Sequence, residues 1–475
     1  MTISSRPVER GAPRVQKPGP ATWARKNLFN SWFNAILTVV IVGVIGGALL
    51  RLLTWAFGGA EWAVVTENFG QYMAGLYPAA SYWRLWTCLA MIAALAGVSW
   101  GVLARNQKQL FSRNVLIGLG AVALLFIIWP MTQPHLAWIL GSMVLLVAGA
   151  ALGKAFGLKV NGAATWVSGM WFLSYLIALY LFGGGPFFGK APVVGPSIFY
   201  RAVTFGLPLW TGWQLAKRID VPGIPKLLGD IILFIVGFIV PFQLLRYIPY
   251  WLGLDFGLKS ISSSSWGGLS LTLLLAISGI ALCFPAGVLL ALGRRSKLPV
   301  VRGFSVAYIE LIRGVPLISI LFMGQVLIPL FLPEGVRPDR VVRAIIGLTI
   351  FSAAYLAENV RAGLQSISQG QTEAAQSLGL NKPLTTALIV LPQALKIAIP
   401  AIVGQFISLF QDTTLLGIVG LIELLGITQS LSANPKYLGD YAQAYLFIAT
   451  IYWIFCYAMS YGSQRIEESL NTDLR

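Results

Sequence analysis

The chain has 475 residues, 57% of them hydrophobic and 11% charged, against about 25% charged in an ordinary soluble domain, and that composition excludes a soluble enzyme. Its 34 Lys and Arg against 17 Asp and Glu give a formal charge of +17. A nucleic-acid binder is excluded as well, because the basic residues are scattered singly between apolar runs instead of lining one face or tail; in a membrane protein the same excess collects in cytoplasmic loops and fixes orientation.

Spanning a bilayer takes about 20 apolar residues in a helix. Residues 1–27 carry Arg6, Arg10, Arg14, Lys17, Arg25 and Lys26 among several prolines. They predict a disordered basic tail and not a cleaved signal, since the run that follows is too long and lacks a small-residue cleavage site. Seven apolar runs follow at roughly 31–53, 85–104, 115–131, 136–152, 165–182, 201–216 and 229–249. Five more lie at about 267–292, 303–331, 341–360, 396–420 and 441–463. The expectation is therefore an all-α integral membrane protein with about 12 spans. With the tail placed in the cytoplasm and sides alternating, the inner loops hold about 23 Lys and Arg and the outer loops about 10, so both termini are expected inside. Arg105, Lys108 and Arg113 fall inside on this count, as do Lys217, Arg218 and Lys226, and then Arg294, Arg295, Lys297 and Arg302.

The first part of the chain, 28–255, reads as additional packing and lipid-facing helices. Gly43 and Gly47 form a GxxxG pair there, which either lets another helix approach closely or arises by chance in a Gly-rich membrane chain. Cys88, Cys283 and Cys456 each sit within an apolar run and form neither a disulfide framework nor a zinc site, so no metal is expected. The single histidine, His135, follows Pro134 at a helix end and reads as a bystander at the membrane interface. Gly184 to Ala191 has the GxxxxGK spacing of a phosphate loop, but Ala191 replaces the magnesium-binding Ser or Thr and Pro192 follows, so nucleotide is not expected there. The polar loop Lys259–Ser265 marks a boundary.

Beyond it lies a long polar interruption between two spans, placed in the cytoplasm by the same parity. It contains Glu358-Asn359-Val360-Arg361, then Glu373-Ala374-Ala375-Gln376-Ser377-Leu378-Gly379, and reaches Ile389-Val390-Leu391-Pro392. Glu373, Ala374 and Ala375 favour helix, and Gly379 is placed to end it in a left-handed conformation. Two small alanines beside one acid make a helix able to lie in another protein's groove, or else a solvated connection with a chance EAA. Charges near spans are costly and mark candidates. Glu310 and Arg313 are three apart on the ninth run and could pair as a brace, and Glu358 and Arg361 repeat that spacing. Asp412 stands in an apolar stretch from Ile397 to Leu425; it could receive a substrate ammonium group, cap a helix or pair with a partner subunit. Ser352, Tyr355 and Gln405 are weaker candidates for a polar pathway lining.

These residues carry a resemblance. EAA, then three residues, Gly, nine residues and I-x-L-P is the pattern of ABC-importer permeases, and every element is here. More narrowly, Trp266-Gly-Gly-Leu-Ser-Leu-Thr272, Tyr308-Ile-Glu-Leu-Ile-Arg-Gly-Val-Pro316, Phe351 to Arg361, Leu391-Pro-Gln-Ala-Leu395 and Gln405-Phe-Ile-Ser408 resemble the polar amino-acid branch. The resemblance covers 264–463, five runs forming a type I permease core. The extra spans, with Asn27-Leu-Phe-Asn-Ser-Trp-Phe-Asn34, resemble the longer permease subunit of general L-amino-acid transporters. Two departures are Gln411-Asp412-Thr413-Thr414-Leu415 where the family often has Lys-Asp-Thr-Ser-Leu, and Val315 where it has Thr.

The resemblance implies an importer permease in the bacterial inner membrane that is not itself an enzyme. It further implies coupling through Glu373, Ala374, Ala375 and Gly379 to two copies of a separate ATPase that binds ATP and Mg, a second permease completing a heterodimer, and a periplasmic amino-acid-binding protein. A tail at 464–475 would return to the cytoplasm. A gradient-driven carrier would instead show repeated halves with matching acids, and a membrane lipid transferase would show clustered Asp, Glu or His at a membrane face; neither pattern is visible.

Overall fold

A computed structural model describes residues 19–107, 109–128, 133–186, 198–218, 226–251, 257–333 and 338–471. Lys108, most of the phosphate-loop-like segment, the tail before Gly19 and the residues after Asn471 lie outside them.

The chain divides into two units, Met1–Trp62 and Ala63–Arg475. The first holds α1 (Pro20–Asn27) and α2 (Trp32–Gly58). The stretch 20–27 is therefore helical where the sequence reading expects structureless tail; Pro20 at its first turn supplies a helix-compatible φ and lacks a donor the helix could not use. Ser31 caps α2 by accepting from the Asn34 amide at 3.2 Å. None of α2 is buried, and a Cβ built on Gly43 or Gly47 meets nothing within 4 Å among the described residues.

The second unit begins with the short helices α3 (Ala63–Thr66) and α4 (Phe69–Ala74), then α5 (Tyr82–Leu103), α6 (Arg113–Ile128), α7 (Gln133–Lys159), α8 (Ala163–Gly183), α9 (Ile198–Arg218) and α10 (Lys226–Trp251). The close GxxxG packing belongs to α5 and α7. A Cβ on Gly97 would lie 2.1 Å from the Leu146 carbonyl oxygen, and one on Gly101 2.1 Å from that of Ala150. From the other side, a Cβ on Gly149 would lie 2.5 Å from the Ala94 carbonyl oxygen and one on Gly153 2.2 Å from that of Val98. Both helices present two glycines four apart, so the backbones touch and dispersion contacts replace side chains. A two-residue antiparallel ladder joins Gly185–Pro186, after α8, to Gly257–Leu258.

The C-terminal part comprises α11 (Gly268–Arg294), α12 (Pro299–Arg313), α13 (Leu317–Leu330), α14 (Arg340–Ser366), α15 (Gln369–Ser377), α16 (Lys382–Thr385), α17 (Leu391–Asp412), α18 (Leu424–Ser432) and α19 (Tyr441–Asn471). One buried cluster joins Cys283 of α11, Leu356 and Ala357 of α14, and Ala394 and Leu409 of α17. A second packs Leu271 and Leu275 of α11 against Leu348 of α14, Leu416, and Phe182 at the end of α8. α11 and α14 thus form the spine against which α12, α17 and the end of α8 pack.

Each of the twelve expected runs is helical over most of its described residues. Nine helices among the described residues are long and apolar enough to cross a membrane, or ten if α12 and α13 count as one broken span. α6 has only 16 residues, and α9, interrupted by Pro208, is too polar. The run expected at 303–331 is bent by 108°, because Gly314 ends α12 and Pro316 cannot continue it. α19 continues through Asn471, so most of the segment expected as a tail from 464 is helix.

Candidate functional site

The polar interruption folds as a helix, a turn and a deformed re-entry. α14 stops at Ser366, Ile367 is extended, and α15 begins after Ser368. Glu373 and Ala374 are exposed on it, whereas Ala375 is buried against the chain. The helix closes on two bonds: the Leu380 amide donates to the Ala375 carbonyl at 3.2 Å and the Gly379 amide to that of Gln376 at 2.9 Å. This is the Schellman arrangement, which requires a left-handed residue between them. Gly379 supplies it with φ +84°. The expected helix and its glycine stop are thus present, and Leu378 projects beside them, 84% exposed. The Asn381 side chain then caps α16 by accepting from the Leu384 amide at 3.0 Å.

The Ile389-Val390-Leu391-Pro392 element begins as a π-turn over Thr386–Val390 and runs directly into α17. The wider turn reflects the proline's lack of an amide and its ring's demand for space. Pattern reading does not reveal it, since the apolar spacing there fits an α-helix as well.

The acids and arginines gather at the same end of the helices. Glu358 of α14 accepts from Arg294 of α11 at 2.8 Å and from Arg361 at 2.7 Å, with Arg313 of α12 at 3.9 Å. Arg294 also reaches Glu310 at 3.0 Å. The expected Glu358–Arg361 pair forms. The expected Glu310–Arg313 pair does not, because Arg294 and Glu358 offer each of them a partner on another helix. Arg313 instead lies over the Tyr355 ring, 5.5 Å from its centroid. The Tyr308 hydroxyl donates to the Ile350 carbonyl at 2.7 Å, and the Asn359 amide to that of Ala401 at 3.1 Å. α11, α12, α14 and α17 are therefore tied together. Arg294, read from sequence only as one more inner-loop cation, is the residue that joins three helices.

The other pathway candidates are not brought into one hydrogen-bonded group. Ser352 is fully buried and its hydroxyl meets no partner among the described residues. Gln405 is half-buried on α17, and Asp412 ends that helix, half-buried, before a 3-10 stretch over Thr413–Val419. Gln411 donates weakly to the Cys456 sulfur at 3.6 Å.

A second buried acid is missed by the sequence reading, which names only Asp412 between Ile397 and Leu425. Glu423 is fully buried at the start of α18, accepting from the Leu425 amide at 2.7 Å, the Gly426 amide at 2.9 Å and the Tyr452 hydroxyl at 3.3 Å. Burial pushes its carboxyl up to about 7, against these bonds, which favour the charged form. Its signal was a single acid immediately before an apolar helix, the position of a cap. Across the molecule Glu67 receives Lys436 and the Tyr437 hydroxyl, and these bonds hold its carboxyl below the usual range. His135 is enclosed by aromatic rings, with Trp86 at 5.5 Å, Phe69 at 5.8 Å and Tyr82 at 6.0 Å.

Comparison with known proteins decides what this architecture belongs to. The family model described as a binding-protein-dependent transport system inner membrane component matches residues 283–470. The inner membrane amino-acid ABC transporter permease protein YhdY of Escherichia coli is 33% identical over 466 residues, covering 95% of this chain and 93% of its own. The chain belongs to the ABC-importer permeases of the polar amino-acid family. A glutamate/glutamine/aspartate/asparagine transport system permease protein, BztC of Rhodobacter capsulatus, is 32% identical and covers 98% of both chains. A probable glutamine permease of Bacillus subtilis is 36% identical over 202 residues, 42% of this chain and 91% of its own. A crystal structure of an amino acid ABC transporter with histidines aligns with a TM-score of 0.38 at 29% identity, covering 42% of this chain and 91% of that one. The permease is accordingly a multi-pass membrane component of an amino-acid importer.

Proposed function

We propose that this permease couples to a separate cytoplasmic ATPase through α15, receives polar L-amino acids from a periplasmic binding protein, and forms the pathway with a second permease. The observation that carries the reading is the construction of α15. It is a short helix closed at its C-terminus by Gly379, with Glu373 outward and Ala375 inward, standing between two long apolar helices. Such a helix presents a small-residue ridge with a carboxylate anchor to a cleft. ATP and Mg would be bound by the ATPase, whose closure would move α15 and rock the two permeases between inward-open and outward-open states. A shorter partner permease, giving a heterodimer, fits a chain that carries additional helices ahead of its core. The inner membrane and two cytoplasmic termini follow from the basic loops.

Within the pathway, Asp412 is the candidate for the substrate ammonium group, with Gln405, Tyr355 and Ser352 as lining. Glu358, Glu310 and Arg313, already engaged in ion pairs, act as the brace that transmits movement rather than as a solute site.

The test is ATP-dependent uptake of labelled amino acids into proteoliposomes holding the complex, with Glu373→Lys as comparison. The expected result is loss of uptake together with loss of the co-purifying ATPase. Uptake that continues without ATP would replace this reading by a gradient-driven carrier.

A further inference from the structure

Between α11 and α12 the chain turns through Arg295, Ser296 and Lys297, and an open pocket of about 660 Å3 lies over that turn. Its walls are Arg295, Lys297 and Arg302 with the small side of α12 at Gly303, Val306 and Ala307. Lys382, the first residue of α16, stands within hydrogen-bonding reach of Lys297. Two ammonium groups so placed repel one another, and the arrangement becomes favourable when an anion sits between them. No internal acid does this: among the described residues, the ion pairs of Glu310 and Glu358 are made with Arg294, Arg313 and Arg361, and none reaches Lys297, Arg302 or Lys382. Arg295 is held to the Leu364 carbonyl at 3.0 Å, which fixes the base of the turn.

α12 adds an apolar element to this charged one. Val300 is 82% exposed and Phe304 and Leu311 are each 68% exposed, and spacings of four and eleven residues place all three on one face. A helix with cations at its start and an unpartnered apolar stripe along its length suits a membrane interface, headgroup beside the cations and acyl chain along the stripe. We propose that this pocket binds the phosphate of an anionic phospholipid, held by Lys297, Arg302 and Lys382, with its chains against Val300 and Phe304. The proposal rests on the cytoplasmic placement of this turn given above, where anionic headgroups are available, and on no part of the coupling reading.

The test is native mass spectrometry of the intact transporter released from phosphatidylcholine nanodiscs containing increasing phosphatidylglycerol. Lys297→Gln, Arg302→Gln and Lys382→Gln together are expected to weaken retention of phosphatidylglycerol about 100-fold, from the usual contribution of each basic residue at an anionic surface. The equal charge change Arg105→Gln, Arg113→Gln and Lys159→Gln is expected to leave it in place, and an unchanged thermal unfolding midpoint in detergent reports that the triple variant is folded. Equal retention by the two triple variants would overturn the proposal. Displacement of the lipid by millimolar inorganic phosphate would do so in favour of a free-anion site. Loss of the ATPase with lipid retained would instead assign the cations to an acidic partner surface. Labelling of Lys297→Cys by a membrane-impermeant thiol reagent in right-side-out and inverted vesicles tests the sidedness separately, so a failure there is distinguishable from a failure of lipid binding.

Discussion

Replacing Glu358 by Gln keeps the shape of the side chain and removes the charge that three guanidinium groups share. Arg294 and Arg361 lose a carboxylate at 2.8 Å and 2.7 Å, and Arg313 one at 3.9 Å. Breaking a fully buried pair from one side costs about 3–5 kcal/mol. Here the Glu358 side chain is 15% exposed and those of its partners 25–38%, so solvent screening reduces the cost to about 2–3 kcal/mol. For a domain of this core's size that corresponds to a fall in Tm of about 5–10 °C. Glu310, whose side chain is 58% exposed and which has one partner, provides the internal comparison: Glu310→Gln is expected to cost less than about 1 kcal/mol. The assay is thermal unfolding of the purified complex in detergent, followed by intrinsic tryptophan fluorescence, for both single variants and for Arg294→Gln with and without Glu358→Gln. In the double-mutant cycle the second substitution is expected to cost less than it does alone, because one of the three pairs of Glu358 is already broken. Equal Tm values for Glu358→Gln and Glu310→Gln, or strict additivity with Arg294→Gln, would refute the view that Glu358 is the keystone of a three-helix brace.

Gly101→Ala is expected to cost at least about 2 kcal/mol, since its Cβ would lie 2.1 Å from the Ala150 carbonyl oxygen and α5 and α7 would have to separate; Gly43→Ala, in open space, is expected to change Tm by less than about 1 °C. Gly379→Ala forces a non-glycine residue into φ +84°, a strain of about 1–2 kcal/mol, so ATPase retention should fall and Tm should drop by about 2–6 °C, and Gly379→Asn should recover part of both. Glu423 has a folded-state pKa of about 7, above its ordinary 4.5. Its neutral form is the one the fold favours, so the stabilisation is complete below about pH 4.5 and is lost as pH rises through about 7. Wild-type Tm is therefore expected to fall between pH 5 and pH 8 more steeply than that of Glu423→Gln, the difference amounting to about 3 kcal/mol, and parallel curves would refute it.

The helical class was legible because lipid leaves a chain few options: runs of apolar residues long enough to span must satisfy their own backbone, and the described part of each run is mostly helix. The limits of that reading are physical as well. Hydropathy registers transfer to lipid and says nothing of direction, so Gly314 and Pro316 bend a run that scores as one span into two segments at 108°. GxxxG spacing is shared by Gly43/Gly47 and Gly97/Gly101, and the second pair faces a helix that carries glycines of its own at Gly149 and Gly153. The signal resided in two matching pairs, not in either alone. Local pairing rules placed Glu358 with Arg361 correctly because both are on one helix; they paired Glu310 with Arg313 incorrectly because the stronger partners come from 16 and 45 residues away in sequence.

The length of the pattern from Glu373 to Pro392 fits the proposed coupling role. If α15 is pushed by an ATPase, the force must reach α14 and α17 without dissolving α15 itself. The Schellman closure at Gly379 keeps the helix a rigid unit, while the two connections differ in kind. Toward α14 the link is two extended residues, Ile367 and Ser368, next to a helix pinned to α11 and α12 through Glu358 and to α17 through Asn359. Toward α17 it is a π-turn, a deformable stretch in which one more residue is accommodated per turn. Movement of α15 would therefore be resisted on the braced side and absorbed on the π-turn side, converting a push into rotation of α17, the helix that carries Gln405 and ends at Asp412. The thirteen residues between Ala375 and Ile389 are the lever this requires: a stop for the helix, a capped turn at Asn381, and enough chain to enter α17 through its π-turn.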